Sequence, residues 1–298
     1  MKTIVVHNGI FHPDDVCAAA TLQLLLESQG GTGTFIRTRD EAVIETADFV
    51  CDVGGIFDPA KNRFDHHQLG GAGARANGIQ YASFGLVWKT YGLSLCGNNQ
   101  GVADFIELKL VAGIDATDNG QAVTENKYED VKSYGFVDII FSLLPTWQEE
   151  SAEEVLLQKF NEAVLLARNV ITREIKKATD IVNGELEVEK IYNKTEDKRL
   201  IVLNKYLPWK KKIESFPEPL ITVFPNTTGG WVVYCVPEDI SAFTSRIKLP
   251  ETWAGKNDDE LASITGVADA VFCHRARFMA AAKSQKGAVA LAKQALLM

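Results

Sequence analysis

No stretch of the sequence approaches the ~20 consecutive apolar residues that a helix needs to cross a bilayer, so a membrane-spanning chain is not expected. Its five cysteines, Cys17, Cys51, Cys96, Cys235 and Cys273, are odd in number, widely spaced and never arranged as Cys-x-x-Cys. That spacing argues against both a disulfide framework and a zinc knuckle. No Gly-x-Gly-x-x-Gly follows the first apolar segment, which sets aside a dinucleotide-dependent dehydrogenase. Met1 runs directly into Thr3-Ile4-Val5-Val6, leaving no room for a basic leader and a secretory apolar region, and cytoplasmic residence is the expectation. Positive charge is also in deficit, with 31 Lys and Arg against 39 Asp and Glu. The deficit is uneven. Residues 1–120 carry 8 basic and 14 acidic side chains, whereas 270–298 carry Arg275, Arg277, Lys283, Lys286 and Lys293 with no acid. An acidic front half suits cations, and a basic tail suits anions.

What is present is a globular chain, 46% hydrophobic and 298 residues long, which exceeds one typical domain of ~100–200 residues. Short β-branched runs at 3–7, 34–38, 49–53 and 63–66 alternate with helical periodicity at 15–28, 81–91 and 102–112, the pattern of an α/β fold with a mainly parallel sheet flanked by helices. Residues 151–181 carry apolar positions on one stripe with no proline or glycine, which predicts a long connecting helix. Asn183-Gly184 reads as its stop. The domain change is therefore placed there, with residues 1–183 as the first domain and 184–298 as a smaller α/β domain containing strands near 200–203, 220–224 and 231–236 and a final helix over about 284–297.

Four segments carry chemistry. His7-Asn8-Gly9-Ile10-Phe11-His12-Pro13-Asp14-Asp15 packs two imidazoles and two carboxylates into a strand-to-helix turn. Imidazole nitrogen and carboxylate oxygen without thiolate suit Mn²⁺, Fe²⁺ or Zn²⁺ better than Ca²⁺, although the same loop could simply cap a helix. Asp52 ends an apolar strand before Gly54-Gly55, where open α/β sheets bind ligands, although taken alone the pattern more often marks the start of a Gly-Gly turn. Asp65-His66-His67 follows the next strand, and adjacent histidines on a strand point to opposite faces. Ile114-Asp115-Ala116-Thr117-Asp118-Asn119-Gly120 adds two carboxylates after a helix, and by itself reads equally as a surface loop.

In order and spacing these segments resemble the motifs of the DHH phosphoesterase superfamily, and within it the melanocyte-proliferating-gene-one, or Myg-type, family of metal-dependent exonucleases and hydrolases. Similarity continues through Pro208-Trp209-Lys210, Cys235-Val236-Pro237, Leu249-Pro250-Glu251-Thr252-Trp253 and a closing histidine-containing strand, so it covers essentially the whole chain. The resemblance implies a catalytic domain holding two divalent metals, and phosphoester hydrolysis at a cleft between two domains. By position, His7 and His12 would bind one metal and Asp14 the other, with Asp52 bridging. His66 and Asp118 would complete the ligands of the second metal, with Asp115 in reserve. His67 would face the substrate phosphate, Asp65 would orient a neighbouring histidine, and Asp15 could serve either as a ligand or as an orienting group. Arg246, His274, Arg275 and Lys283 are candidate anion contacts. Two departures stand out: His12 occupies a position where many members have aspartate, and Ala280-Ala281 replaces a customary glycine pair.

The reaction so implied is two-metal hydrolysis of a phosphodiester. Mn²⁺ is the expected ion, with Mg²⁺, Fe²⁺ and Zn²⁺ as alternatives. RNA or a short oligonucleotide, shortened 3′ to 5′, is the expected substrate. A small ester such as a cyclic dinucleotide, a nucleotide or pyrophosphate is the first alternative, and a non-catalytic nucleotide- or metal-binding module is the second. No membrane partner is expected, and a homo-oligomer is left open.

Overall fold

Residues Lys2–Val6 form strand β1, whose Ile4, Val5 and Val6 are fully buried. A strand covered on both faces needs such a continuous apolar run, as parallel sheets do. The computed structural model describes residues 1–128, 130–239 and 244–297, and the described chain divides into two compact units, Met1–Thr179 and Asp180–Met298.

In the first unit, β1 is followed by helix α1 (Pro13–Ser28), β2 (Gly33–Arg37), α2 (Glu41–Thr46), β3 (Phe49–Cys51), β4 (Phe57–Asp58) and β5 (Arg63–Phe64). The sheet order is β2-β1-β3-β5-β4, parallel except for β4 at the edge. The chain therefore reverses its direction of winding between β1 and β3. In open α/β sheets the crevice beyond the carboxyl ends at such a point is where ligands bind. Helix α1 is buried nearly all round, packed against the sheet and against α3 (Ser83–Leu95). Its start is well specified: Pro13 occupies the first turn, Asp14 and Asp15 lie at the positive end of the helix dipole, and Asp15 accepts the His12 backbone N–H at 2.9 Å.

Helix α4 (Gln100–Ile106) passes through a π-helical stretch, Glu107–Val111, into α5 (Ala112–Asp118). A short α6 (Phe136–Phe141) precedes α7 (Glu153–Lys194), a 42-residue helix. This overturns the expected stop at Asn183-Gly184. A Cβ at Gly184 would lie 2.4 Å from Cδ of Pro208, so the glycine permits a close approach inside the helix rather than ending it. The boundary between the two units falls within this helix.

The second unit contains β6 (Leu200–Val202), α8 (Lys210–Glu214), β7 (Ile221–Pro225), β8 (Trp231–Cys235), α9 (Asp258–Thr265), β9 (Ala270–Cys273), β10 (Met279–Ala282) and α10 (Gln285–Ala295). Its sheet runs β6-β7-β8-β10-β9, with only the β6–β7 pair parallel. The amphipathic α10, capped by the Ser284 hydroxyl, covers one face through Ala288, Leu291 and Ala292. Ala280 and Ala281 lie in β10 opposite Val233 and Val232, and Ala280 is fully buried. Among the described residues no helix is long and apolar enough to cross a membrane.

Candidate metal centre

The carboxyl ends of β1, β2, β3 and β5 deliver, in turn, His7, Arg39, Asp52 and the Asp65-His66-His67 triplet. Asp52 is the hub. Its Oδ2 lies 3.3 Å from Nε2 of His7, and its Oδ1 lies 3.2 Å from Nε2 of His66 and 3.5 Å from Nδ1 of His67. The Asp52 backbone is left-handed, with φ 59°, a conformation that costs a non-glycine residue about 1–3 kcal/mol and that clusters at functional sites. His7 also lies 3.3 Å from Asp15 Oδ2, and His66 lies 3.2 Å from Asp118 Oδ2.

Asp65 shapes the turn after β5. Its Oδ1 accepts the backbone N–H of His66 at 2.7 Å, that of His67 at 3.1 Å and the His67 ring Nδ1 at 2.8 Å. This turn breaks the strand, so the alternating-face expectation for the two histidines does not apply: both reach Asp52, with ring centroids 4.3 Å apart. They differ in exposure instead. The His66 side chain is 8% exposed and that of His67 61%.

Among the described residues, three sets each bring potential ligand atoms within 4.8 Å of one another: His7, His12 and Asp52; His12, Asp14 and Asp118; and Asp52, His66 and His67. Asp14 is fully buried, and neither of its oxygens has a hydrogen-bond partner among the described residues. Asp15 Oδ2 also makes no hydrogen bond among the described residues, although the His7 ring lies 3.3 Å from it. Burial, followed by repulsion from Asp52, Asp118 and Asp15, pushes the Asp14 carboxyl well above the usual carboxylate range. Burial lifts Asp15 to about 7. Burial opposes charge on His66, yet Asp118 and Asp52 flank it and raise it to about 10, while Asp52 is held low by His66 and His7 against its own burial. Such a set of buried carboxylates calls for positive charge, because an unpaired buried anion is costly. Divalent cations satisfy that demand, and the nitrogen-and-oxygen donor set fits them.

A cavity of ≈ 330 Å³ opens onto this cluster, lined by His7, His12, Pro13, Arg39, Asp52, His67, Ile114, Thr117, Asp118 and Phe141. Asp115 lies apart from the ligand groups. It is bound by Arg75 Nη2 at 2.8 Å and by the Gly85 N–H at 3.0 Å. In the second unit, the Arg246 guanidinium donates to the carbonyls of Phe216, Pro219 and Glu214, and His274 Nδ1 accepts the Ala276 N–H. Arg275 and Lys283 are exposed. Residue patterns did not single out Arg39 or Phe141. Arg39 follows the end of β2, so the strand-end rule that found Asp52 applies to it equally.

The MYG1_exonuc family model, described as an uncharacterised protein family, matches residues 3–296. A MYG1 protein of Caenorhabditis elegans is 30% identical over 331 residues, covering 98% of this chain and 94% of that protein. A MYG1 protein of Dictyostelium discoideum is 29% identical over 323 residues, covering 99% and 96%. The human protein named MYG1 exonuclease is 27% identical over 337 residues, covering 98% and 85%. Among solved structures, RecJ of Thermus thermophilus in complex with Mn²⁺ aligns at 11% identity and TM-score 0.29, over 100% of this chain and 52% of that one. This chain thus spans about half of that protein's length.

Proposed function

Since the chain belongs to the MYG1_exonuc family, we propose that it is a metal-dependent phosphodiesterase acting as an exonuclease on RNA or short oligonucleotides, in the 3′ to 5′ direction and with Mn²⁺ as its preferred ion. The observation that carries this reading is the Asp52 carboxylate set between His7 and His66, beside the unpartnered carboxylate of Asp14. Four relatives carry the name MYG1 exonuclease, which supports the class of reaction.

Two divalent ions, when bound, would supply a water activated near neutral pH and neutralise charge on the phosphate. The chain's own residues do the rest. Asp52 would be shared between the two ions, His7 and His12 would hold one, and Asp14, Asp118 and His66 would hold the other. Asp65 fixes the exposed His67 ring through Nδ1, and the ring lines the cavity in which the substrate phosphate would sit. Apolar Ile114 and Phe141 border the cavity.

Incubation of 5′- and 3′-labelled RNA with Mn²⁺, Mg²⁺ or EDTA tests this. Stepwise loss from the 3′ end with Mn²⁺ is expected. Turnover of pyrophosphate or cyclic dinucleotides alone would replace the exonuclease with a small-ester hydrolase.

A further inference from the structure

The turn that carries Asp52 has two sides. Asp52 faces the metal centre, whereas Val53, Gly54 and Ile56 border a second cavity of ≈ 400 Å³, completed by Glu41, Ile44 and Glu45. Arg39 lines both cavities. It is exposed, and it is the one Lys or Arg among the residues lining the first cavity. The second cavity falls within the size range of small-ligand sites, ~300–1,000 Å³.

We propose that this second cavity holds the nucleoside next to the scissile phosphate, with the Arg39 guanidinium gripping the phosphate at the junction. Charge sorts the two halves of the ligand. An anion is drawn to Arg39 and the metal centre, while Glu41 and Glu45 exclude a phosphate from the second cavity. What those carboxylates accept is a neutral donor, such as a sugar hydroxyl or an exocyclic amine. Ile44, Val53 and Ile56 offer an apolar wall for a base, and Ile56, 55% exposed, has a large unburied surface to give it. The wall is fixed from behind: Arg63 Nη2 donates to the carbonyls of Ile44, Glu45 and Ala47, and Gly55 donates its N–H to Asp65 Oδ2. One rigid turn therefore sets the spacing between the reacting phosphate and its flanking nucleoside.

The inference rests on the phosphodiesterase reading, and the test separates the two. The full-length protein with Mn²⁺ is given a dinucleotide and its two abasic analogues, each lacking one base. Binding of a nucleoside monophosphate is measured alongside by calorimetry. Wild type is expected to favour the intact dinucleotide by about tenfold in kcat/KM over one abasic analogue, and Ile56→Asp to erase most of that preference. Arg39→Ala is expected to raise KM about tenfold with a smaller change in kcat, and Arg39→Lys to recover part of the loss. Both side chains are exposed, so both variants should fold, which circular dichroism checks. Equal use of all three substrates by wild type, or an Ile56→Asp preference matching wild type, overturns the inference and leaves the phosphodiesterase reading standing. If wild type hydrolyses none of them, that reading fails. The scissile-phosphate assignment falls with it, and calorimetry decides the binding site: nucleoside monophosphate affinity lowered by both variants sustains a nucleotide site at this turn, and unaltered affinity overturns it.

Discussion

Nε2 of His66 lies 3.2 Å from Oδ1 of Asp52, a residue held at φ 59° at the end of β3. The strained backbone and the shared carboxylate separate in their consequences. Asp52→Gly removes the carboxylate but suits the left-handed backbone, so it should be at least as stable in urea as Asp52→Ala, by about 1 kcal/mol. Both variants should lose metal-dependent hydrolysis. An Asp52→Ala protein more stable than Asp52→Gly would show that strain at this turn is not what the φ value implies.

Asp14 gives a prediction of opposite sign for stability and activity. Its carboxyl is buried beside Asp52, Asp118 and Asp15, so removing its charge in the near-isosteric Asp14→Asn should stabilise the protein in EDTA by about 1–3 kcal/mol while weakening Mn²⁺ binding. Urea denaturation in EDTA, paired with calorimetric Mn²⁺ titration, reads both. A destabilised apo variant would mean that the carboxylate is already satisfied without metal.

The Arg75–Asp115 pair should behave as structure. Arg75 Nη2 lies 2.8 Å from a fully buried Asp115, and Arg75 Nε also pairs with Glu107. Arg75→Met leaves that buried charge unpaired and is expected to cost about 3–5 kcal/mol. Gly85→Ala places a Cβ at 1.8 Å from Asp115 Oδ2 and should also destabilise, by about 1–3 kcal/mol. In both, the Mn²⁺ stoichiometry of the folded fraction should equal that of wild type. A reduced stoichiometry would return Asp115 to the ligand set.

Acid stability has an identifiable contributor away from the centre. The Lys2 ammonium and the Thr3 N–H hold the Asp48 carboxyl at about 2, below its ordinary value of 3.8. A depressed carboxyl contributes stability above its unfolded pKa and loses it as pH falls through the folded one. Asp48→Asn should therefore lower Tm at neutral pH, and the gap from wild type should narrow as pH drops from about 4 towards 2. A gap independent of pH over that window would assign the loss to hydrogen-bond geometry rather than charge.

The order of elements in the first unit was readable because β-branched runs such as Ile4-Val5-Val6 must be buried on both faces of a parallel sheet. Residues 15–28 and 81–91 announced α1 and α3 by helical spacing. Less regular elements were not announced. β4 is two residues long, and β10 is Met279-Ala280-Ala281-Ala282, whose alanines carry no strand preference. Asn183-Gly184 misled because a glycine signals either a helix end or a close contact, and only Pro208, distant in sequence, decides which. In the candidate centre, strand ends pointed to His7, Asp52 and the Asp65 triplet. The bend that turns His66 and His67 to the same carboxylate depends on hydrogen bonds from backbone to Asp65 that residue spacing does not encode. Asp115 and Asp118 share one segment, and it is the family resemblance of the Asp118-Asn119-Gly120 setting, rather than spacing or charge, that favoured the one that meets His66 over the one that meets Arg75.

The most direct test is hydrolysis of 3′- and 5′-labelled RNA by wild type and Asp52→Ala, each assayed with Mn²⁺ and with EDTA. The expected result is stepwise shortening by wild type with Mn²⁺, and none in EDTA or by a folded Asp52→Ala protein. Hydrolysis that survives EDTA, or that Asp52→Ala retains at the wild-type rate, would contradict a metal centre built around Asp52.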